Sequence, residues 1–369
     1  MGSLTPLSHR PRPAPQNPST TSRVYASFCP KEPSPTTNMS NWIECYNPSN
    51  NAWHRVTFIP LRLENHIMKG FSMVSIGASI YIIGGRLCHK VAGREPDDIV
   101  EVDREVLSSV LRYDVKTNAW SECASLCTPR FDFACTECDR KIYVAGGQCT
   151  LGSARGISAA EVYDPALDEW KPLPNMSTLR YKCVGVTWLG KIHVVGGFAQ
   201  RKDSDITVPY TLERSSGEVY DSQSAKWHFM VGMWQLDVPP NQIVAVNGKL
   251  FSSGDCLNLW KGHIEAYDAK LKIWNVVDGS HLQTLSSPIS TSEENWLPID
   301  RLYLTMAPIG TQLYFLAGHR MPGEIPRLMS IVHMFDTSAN GYGWRSFEST
   351  EEDGEKELCS HCCVVEHVS

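Results

Sequence analysis

Several things are missing from this sequence, and each absence removes a class of function. No apolar run approaches the ~18 residues that cross a bilayer as a helix. The first residues have no apolar stretch of the secretory kind. Met1-Gly2 is followed by Pro6, where a myristoylation signal requires Ser or Thr. There is no Gly-rich phosphate loop, no nucleophile elbow and no His-Glu-x-x-His run, so the common catalytic signatures are lacking. Nor is there a broad excess of basic residues: the net charge is −6, which argues against a nucleic-acid footprint.

What is present is unevenly spread. Glu95–Glu105 carries six acidic residues against Arg104, and Glu348–Glu357 carries six against Lys356. The remainder is near neutral, slightly basic. Residues 1–21 contain five prolines, basic residues and no acids, the composition of a disordered lead. That composition weakly resembles an organelle transit peptide, but a cytoplasmic or nuclear location is the simpler expectation. The 13 cysteines are an odd number with no small-scaffold spacing, which suits buried thiols in a reducing compartment.

One pattern dominates the chain. An aromatic residue, usually followed by Asp, precedes a Trp by seven residues at Tyr46/Trp53, Tyr113/Trp120, Tyr163/Trp170, Tyr220/Trp227 and Tyr267/Trp274. A sixth copy, Phe335/Trp344, has a spacing of nine. The residues between are rich in the turn formers Asn, Asp, Pro and Ser, so each copy predicts a hairpin. Between these hairpins lie apolar strands ending in small residues: Tyr81-IIGG, Tyr143-VAGG, His193-VVGG, Leu250-FSSG and Tyr314-FLAG. From Trp120 to Gly147, Trp170 to Gly197 and Trp227 to Gly254 the distance is 27 residues each time, and insertions stretch it elsewhere. A further strand precedes each of these, as in Ile243-VAVNGKLF, where Asn247-Gly248 signals a tight turn. One repeat is therefore four antiparallel strands: a, b (ending in the small pair), c (bearing Tyr-Asp) and d (bearing Trp).

Gly-Gly, Tyr-Asp and Trp at this spacing resemble the kelch repeat, one blade of a β-propeller. The resemblance covers roughly 22–369 and is similar in style to plant kelch proteins, many of which carry an N-terminal F-box. With a leader of 21 residues, no F-box is expected here. The expected fold is all-β: a monomeric six-bladed kelch propeller of four-stranded antiparallel blades. Arg23-VYASF supplies strand b of the first blade, and Ser360-HCCVVEHV supplies its strand a. The ring thus closes with strands from both termini, which protects its last edge.

Because strands alternate in direction, the b–c and d–a connections share one face. The long segments 86–110, 198–218, 319–331, 275–300 and 345–358 all belong to it, and long loops on a rigid scaffold are where binding concentrates. Arg130, Arg180 and Arg301 each stand 16 residues before the first member of their small pair, at the lead-in to strand a. Two readings remain open. They form a partial basic ring at the channel mouth, with Phe131 and Tyr181 beside them, suited to carboxylates or phosphates. Or they are structural, bonding the neighbouring backbone or the next blade. The two acidic stretches are expected to form a rim around this centre.

Cys135/Cys138 and Cys359/Cys362 have metal-like spacing, but i and i+3 on a strand face opposite ways, so buried thiols are expected and no metal or cofactor. Iron-binding plant specifier proteins of this fold carry a Glu-x3-Asp-x3-His run that this sequence lacks. The resemblance implies a non-catalytic protein-interaction module, a substrate adaptor or regulator in protein turnover or signalling. The alternative is a small-molecule enzyme, specifier-like or an isomerase or lyase, holding an anionic substrate at the channel mouth.

Overall fold

A computed structural model describes residues 20–32, 39–92, 99–201, 211–255, 264–278, 300–321, 327–338, 343–352 and 354–368. Among these residues six sheets are built in the order a-b-c-d, every ladder antiparallel. The third sheet is representative: Ala134–Cys138, Lys141–Ala145, Ala160–Asp164 and Glu169–Leu173. Strand a lies innermost in each, and the a strands neighbour one another in a closed succession around a central channel. The chain is a β-propeller.

The turns follow the local chemistry. Asn247-Gly248 joins its strands with both residues left-handed (φ 49° and 73°), the geometry that matches strand twist. In the c–d turns the Asp after the aromatic residue caps the turn: Asp114 Oδ1 accepts the backbone N–H of Lys116 (3.0 Å) and Thr117 (2.9 Å). Asp164, Asp221, Asp268 and Asp336 do the same. These bonds hold the carboxyls of Asp114, Asp221 and Asp268 below the ordinary value, while that of Asp164 is lowered first by Lys141 and that of Asp336 first by the Ser338 hydroxyl.

The repeated aromatics form the seams. The ring of each c-strand Tyr or Phe lies 5.0–5.3 Å from the Trp of its own strand d. The Trp then reaches the preceding blade. Trp120 Nε1 donates to Thr57 Oγ1 (3.1 Å), Trp170 to the Ala124 carbonyl (2.9 Å) and Trp274 to the Met233 carbonyl (2.9 Å). Apolar clusters accordingly straddle neighbouring sheets, as where Tyr81 and Ile83 meet Phe133, Ile142 and Tyr163. Each aromatic pair adds roughly 0.5–1.5 kcal/mol beyond area burial.

The small pair has a specific cause. Gly147 donates its N–H to the Arg180 carbonyl of the next blade (2.8 Å), and Gly85 does the same to Arg130 (2.8 Å). A Cβ on Gly146 would sit 2.7 Å from the Arg180 carbonyl oxygen. Gly146→Ala should therefore destabilise the fold far more than Gly190→Ala. Both glycines are left-handed (φ 71° and 70°), but only Gly190 has open space around it. Urea denaturation of the two variants measures the difference; equal midpoints would refute the clash.

The ring closes as the sequence predicts. Thr20–Pro30 pairs antiparallel with Lys356–Val368, from Thr20 opposite Val368 to Pro30 opposite Lys356. The paired strand begins at Thr20, two residues before the expected boundary of the leader, and residues 1–19 lie outside the described set. Strand a of this sheet is tied on both sides: Ser75 Oγ donates to the Val364 carbonyl (2.6 Å), and the Cys362 N–H to Thr305 Oγ1 (3.0 Å).

Two of the expected long loops are instead ordered strands. Within 86–110, Arg86–Ala92 and Ile99–Val106 form a hairpin, joined by Ile67–Lys69 into a three-stranded sheet. Segment 319–331 is mostly the extended ends of Gln312–Met321 and Arg327–Asp336. Segment 198–218 contributes Phe198–Arg201, paired to Thr178–Tyr181, and the short helix Thr211–Arg214. Most of 275–300 lies outside the described residues.

Candidate functional site

The channel has a volume of about 1030 Å³ and is lined by the six innermost strands and their lead-ins. On the side of the b–c and d–a connections its mouth is built by repetition. Gly70, Asp132 and Lys182 occupy equivalent left-handed positions (φ 63°, 53° and 51°) just before strand a. The Asp132 N–H donates to the Gly70 carbonyl (2.8 Å) and the Lys182 N–H to the Asp132 carbonyl (2.7 Å), so successive blades are stitched at the rim. Asp132, Lys182, Arg301 and Glu357 all line the channel. Burial raises the Asp132 carboxyl, against the pull of Lys182 and Arg86. Burial also lowers Arg301 to about 10 and the channel-lining His361 to about 4.

The expected arginine ring is not what the fold makes. Arg130 and Arg180 are fully buried, at 0% exposure, and face inward. Arg130 pairs with Glu161 at 2.5 Å and donates to the Gly146 and Ala159 carbonyls, both at 2.9 Å. Arg180 faces Glu218 at 3.5 Å and donates to the Gly196 carbonyl (3.0 Å) and Ser216 Oγ (2.6 Å). Each glutamate also holds the lead-in loop. Glu161 accepts the N–H groups of Cys127 (2.7 Å) and Thr128 (3.1 Å), and Glu218 those of Ser177 (2.7 Å) and Thr178 (3.1 Å). So the structural reading holds for Arg130 and Arg180, and Arg301 alone of the three lines the channel. The reason is the repeat itself: Glu161 and Glu218 stand two residues before Tyr-Asp, whereas the last repeat has His333 there.

The first repeat shows the same device in another form. Glu44, two residues before Tyr46, takes Lys356 at 2.7 Å. Lys356 also pairs with Glu352 (3.0 Å) and lies 4.4 Å above the ring of Phe28. A cation at the lead-in to strand a, locked to a strand c glutamate, therefore recurs in three sheets. The signal was present in the sequence as Glu-x-Tyr, which stands at 44, 161, 218 and 265, with Arg130 and Arg180 preceding the second and third copies by 31 and 38 residues.

The two expected aromatics differ. Phe131 is buried beneath the Arg86 guanidinium, 5.6 Å from its ring centroid. Tyr181 is half-buried and rests against Phe198 at 5.1 Å, which in turn carries Arg214 at 5.2 Å. Cys135 faces the channel, while Cys138 sits against the Gly190 carbonyl of the next blade. The acidic rim is in large part neutralised within the molecule. Glu355 pairs with Lys31 and Arg320, Glu357 with Lys69 and Lys90, Glu101 with Lys69, and Asp103 with Arg86. Burial would raise Glu357, but Lys69 and Lys90 hold it below the ordinary carboxylate value.

Comparison with known proteins fits this geometry. Residues 68–127 and 129–177 match the kelch motif. An F-box/kelch-repeat protein of Arabidopsis thaliana is 33% identical over 201 residues, covering 54% of this chain and 51% of the relative. A second from the same plant is 29% identical over 211 residues, covering 56% and 48%. The human Kelch repeat and BTB domain-containing protein 12 is 27% identical over 171 residues, covering 43% and 26%. The chain carries two kelch motifs within its propeller and is similar to plant kelch-repeat proteins, and it spans about half the length of the first two relatives.

Proposed function

We propose that this propeller is a protein-interaction module that holds its partner on the face of the b–c and d–a connections, beside the channel mouth. The observation that carries this reading is the asymmetry of the two faces. One has two-residue a–b turns; the other bears the 86–106 hairpin, the 198–214 insertion and the extended 312–336 hairpin around Asp132, Lys182 and Arg301. Long elements on a rigid ring are the usual place for recognition. The names of the relatives couple kelch repeats to F-box or BTB domains, which supports a role in presenting proteins for turnover or signalling.

The test is affinity capture with wild type beside Lys182→Glu/Arg301→Glu. Lys182 is exposed and Arg301 half-buried, so thermal melting should confirm that the variant is folded. Loss of a partner by a folded variant supports the site, and an unchanged set refutes it. The channel volume, with Lys182 and Arg301 standing beside Asp132 and Glu357 on its lining, also supports a second reading, a small anionic ligand held by the two cations. A melting temperature raised by dicarboxylates or phosphate in wild type, and not in the double variant, would mark that alternative.

A further inference from the structure

The closing sheet carries a pair of thiols at the point where the two ends of the chain meet. Cys29 lies on Thr20–Pro30 and Cys359 on Lys356–Val368. Cys29 stands opposite Glu357. Phe28 pairs with Leu358 and Ser27 with Ser360, which leaves Cys359 as the extra residue of a bulge beside Cys29. Both thiols are free, both are buried in one apolar cluster, and they are in hydrogen-bond contact with each other. Cys359 Sγ also reaches the Glu357 carbonyl (3.6 Å). Two lysines close on the pair. Lys90, its side chain 1% exposed, donates to the carbonyls of Pro30 (2.9 Å) and Lys31 (2.8 Å), which follow Cys29, and meets Glu357 at 3.0 Å. Lys69 shares that carboxylate. The contact with Cys359 does most to hold the Cys29 thiol below its ordinary value; Lys69 and Lys90 add to it, against burial, while burial and Cys29 push Cys359 up. Cys135, Cys183, Cys362 and Cys363 line the channel as Cys359 does, but burial raises each of them and no ammonium group stands so close.

We propose that Cys29 and Cys359 form a peroxide-oxidised pair, whose disulfide links the first strand of the chain to the last and locks the ring shut. Hydrogen peroxide is the oxidant the site admits. It is uncharged and scarcely larger than water, so it can pass along the channel to Cys359, whereas a bulky disulfide cannot reach buried sulfurs. The Cys29 thiolate attacks one peroxide oxygen. An S–O bond forms, the O–O bond breaks, and the departing hydroxide takes up the proton that Cys29 had lost and leaves as water. The Cys359 sulfur then displaces hydroxide from the sulfenic acid. An S–S bond forms, the S–O bond breaks, and the Cys359 proton leaves with the hydroxide as a second water. The two thiols are oxidised by two electrons and one peroxide is reduced to two waters. The consequence follows from position. The reduced ring is closed only by the ladder between its terminal strands, whereas the disulfide makes one covalent loop of nearly the whole chain, and long loops restrict the unfolded chain most. A small dithiol reverses the step by exchange.

The experiment uses the full chain, fully reduced and then treated with hydrogen peroxide under native conditions. Remaining thiols are alkylated and the peptides mapped without reduction. The first disulfide to appear should join the Cys29 peptide to the Cys359 peptide within a monomer. The oxidised chain should melt higher than the reduced one by about 5 °C or more, and dithiothreitol should restore the lower value. Cys29→Ala and Cys359→Ala should each abolish both the link and the shift. The mapping of wild type decides the pairing by itself, so the outcome does not depend on how well either variant folds. A wild type that stays reduced overturns the proposal. So does a first disulfide between other cysteines, such as Cys45 and Cys363, or a covalent dimer joined through Cys29 and Cys359. A correctly linked chain that melts no higher than the reduced one would show that the pair does not lock the ring, and overturns it too.

Discussion

A chain lacking residues 360–369 is expected to show no cooperative melt at temperatures where the full chain is folded. Those residues form most of the innermost strand of the closing sheet, paired from Thr20–Val368 to Ser27–Ser360. Their loss strips the ladder from Thr20–Pro30 and leaves Ser72–Ile76 and Asp300–Ile309 without a neighbour on one side. Cys363 and Val365 are 8% and 1% exposed, and Val365 packs in the largest apolar cluster. Each buried aliphatic side chain contributes roughly 1.5–3 kcal/mol. With the ladder hydrogen bonds, the total is comparable with the whole ~5–15 kcal/mol of a domain. Val365→Asp, which buries a charge at the same place, should lower the midpoint in the same direction. Differential scanning calorimetry decides the matter: a truncated chain melting within a few degrees of the full chain would show that the termini do not close the ring.

Arg130→Ala should cost about 3–5 kcal/mol, because it leaves Glu161 buried without its cation and removes a donor from the Gly146 and Ala159 carbonyls. The guanidinium is fully buried and its partner is 2% exposed, so water cannot take its place. Arg180→Ala should behave alike, given the equally buried Glu218 and Ser216. The exposed pair Lys171–Glu169, at 3.2 Å, provides the control: Lys171→Ala should change stability by no more than about 1 kcal/mol. Urea midpoints for the three variants give the comparison. A cost for Arg130→Ala as small as the control's would mean that the buried pair does not hold the lead-in loop. The result also bears on function, because a binding defect in such a variant would report a loosened blade and not a lost ligand contact.

Much of the fold was legible because it rests on local chemistry repeated along the chain. Asn247-Gly248 dictates a tight turn wherever it occurs, Asp114 caps its own hairpin, and Tyr113 needs only its own strand d to meet Trp120. An apolar strand at Ser360–Val368, with no strand b after it, was enough to send that strand to the N-terminus. The site was less legible. Arg130 and Arg301 have the same offset from their small pairs, yet one is sealed inside a blade and the other lines the channel. The difference lies some thirty residues away, in Glu161 against His333, and no window around the arginine contains it. The insertion 86–110 misled for a related reason. Its acidic residues suggest a solvated loop, whereas Lys69, from outside the segment, anchors Glu101 and makes a strand of it.

The sequence by itself determined that four strands recur, where each turns, which face gathers the insertions and how the ends meet. Those properties depend on periodicity, turn residues and strand direction, all of which act over a few residues. The tertiary structure decided which charges are spent inside the molecule and which remain at its surface. Only there did Arg130, Arg180 and Lys356 meet their glutamates, while Lys182 and Arg301 came to line the channel mouth. Pairing of that kind depends on which blades and strands lie side by side, and burial decides its outcome, since a charge removed from water must be met by another.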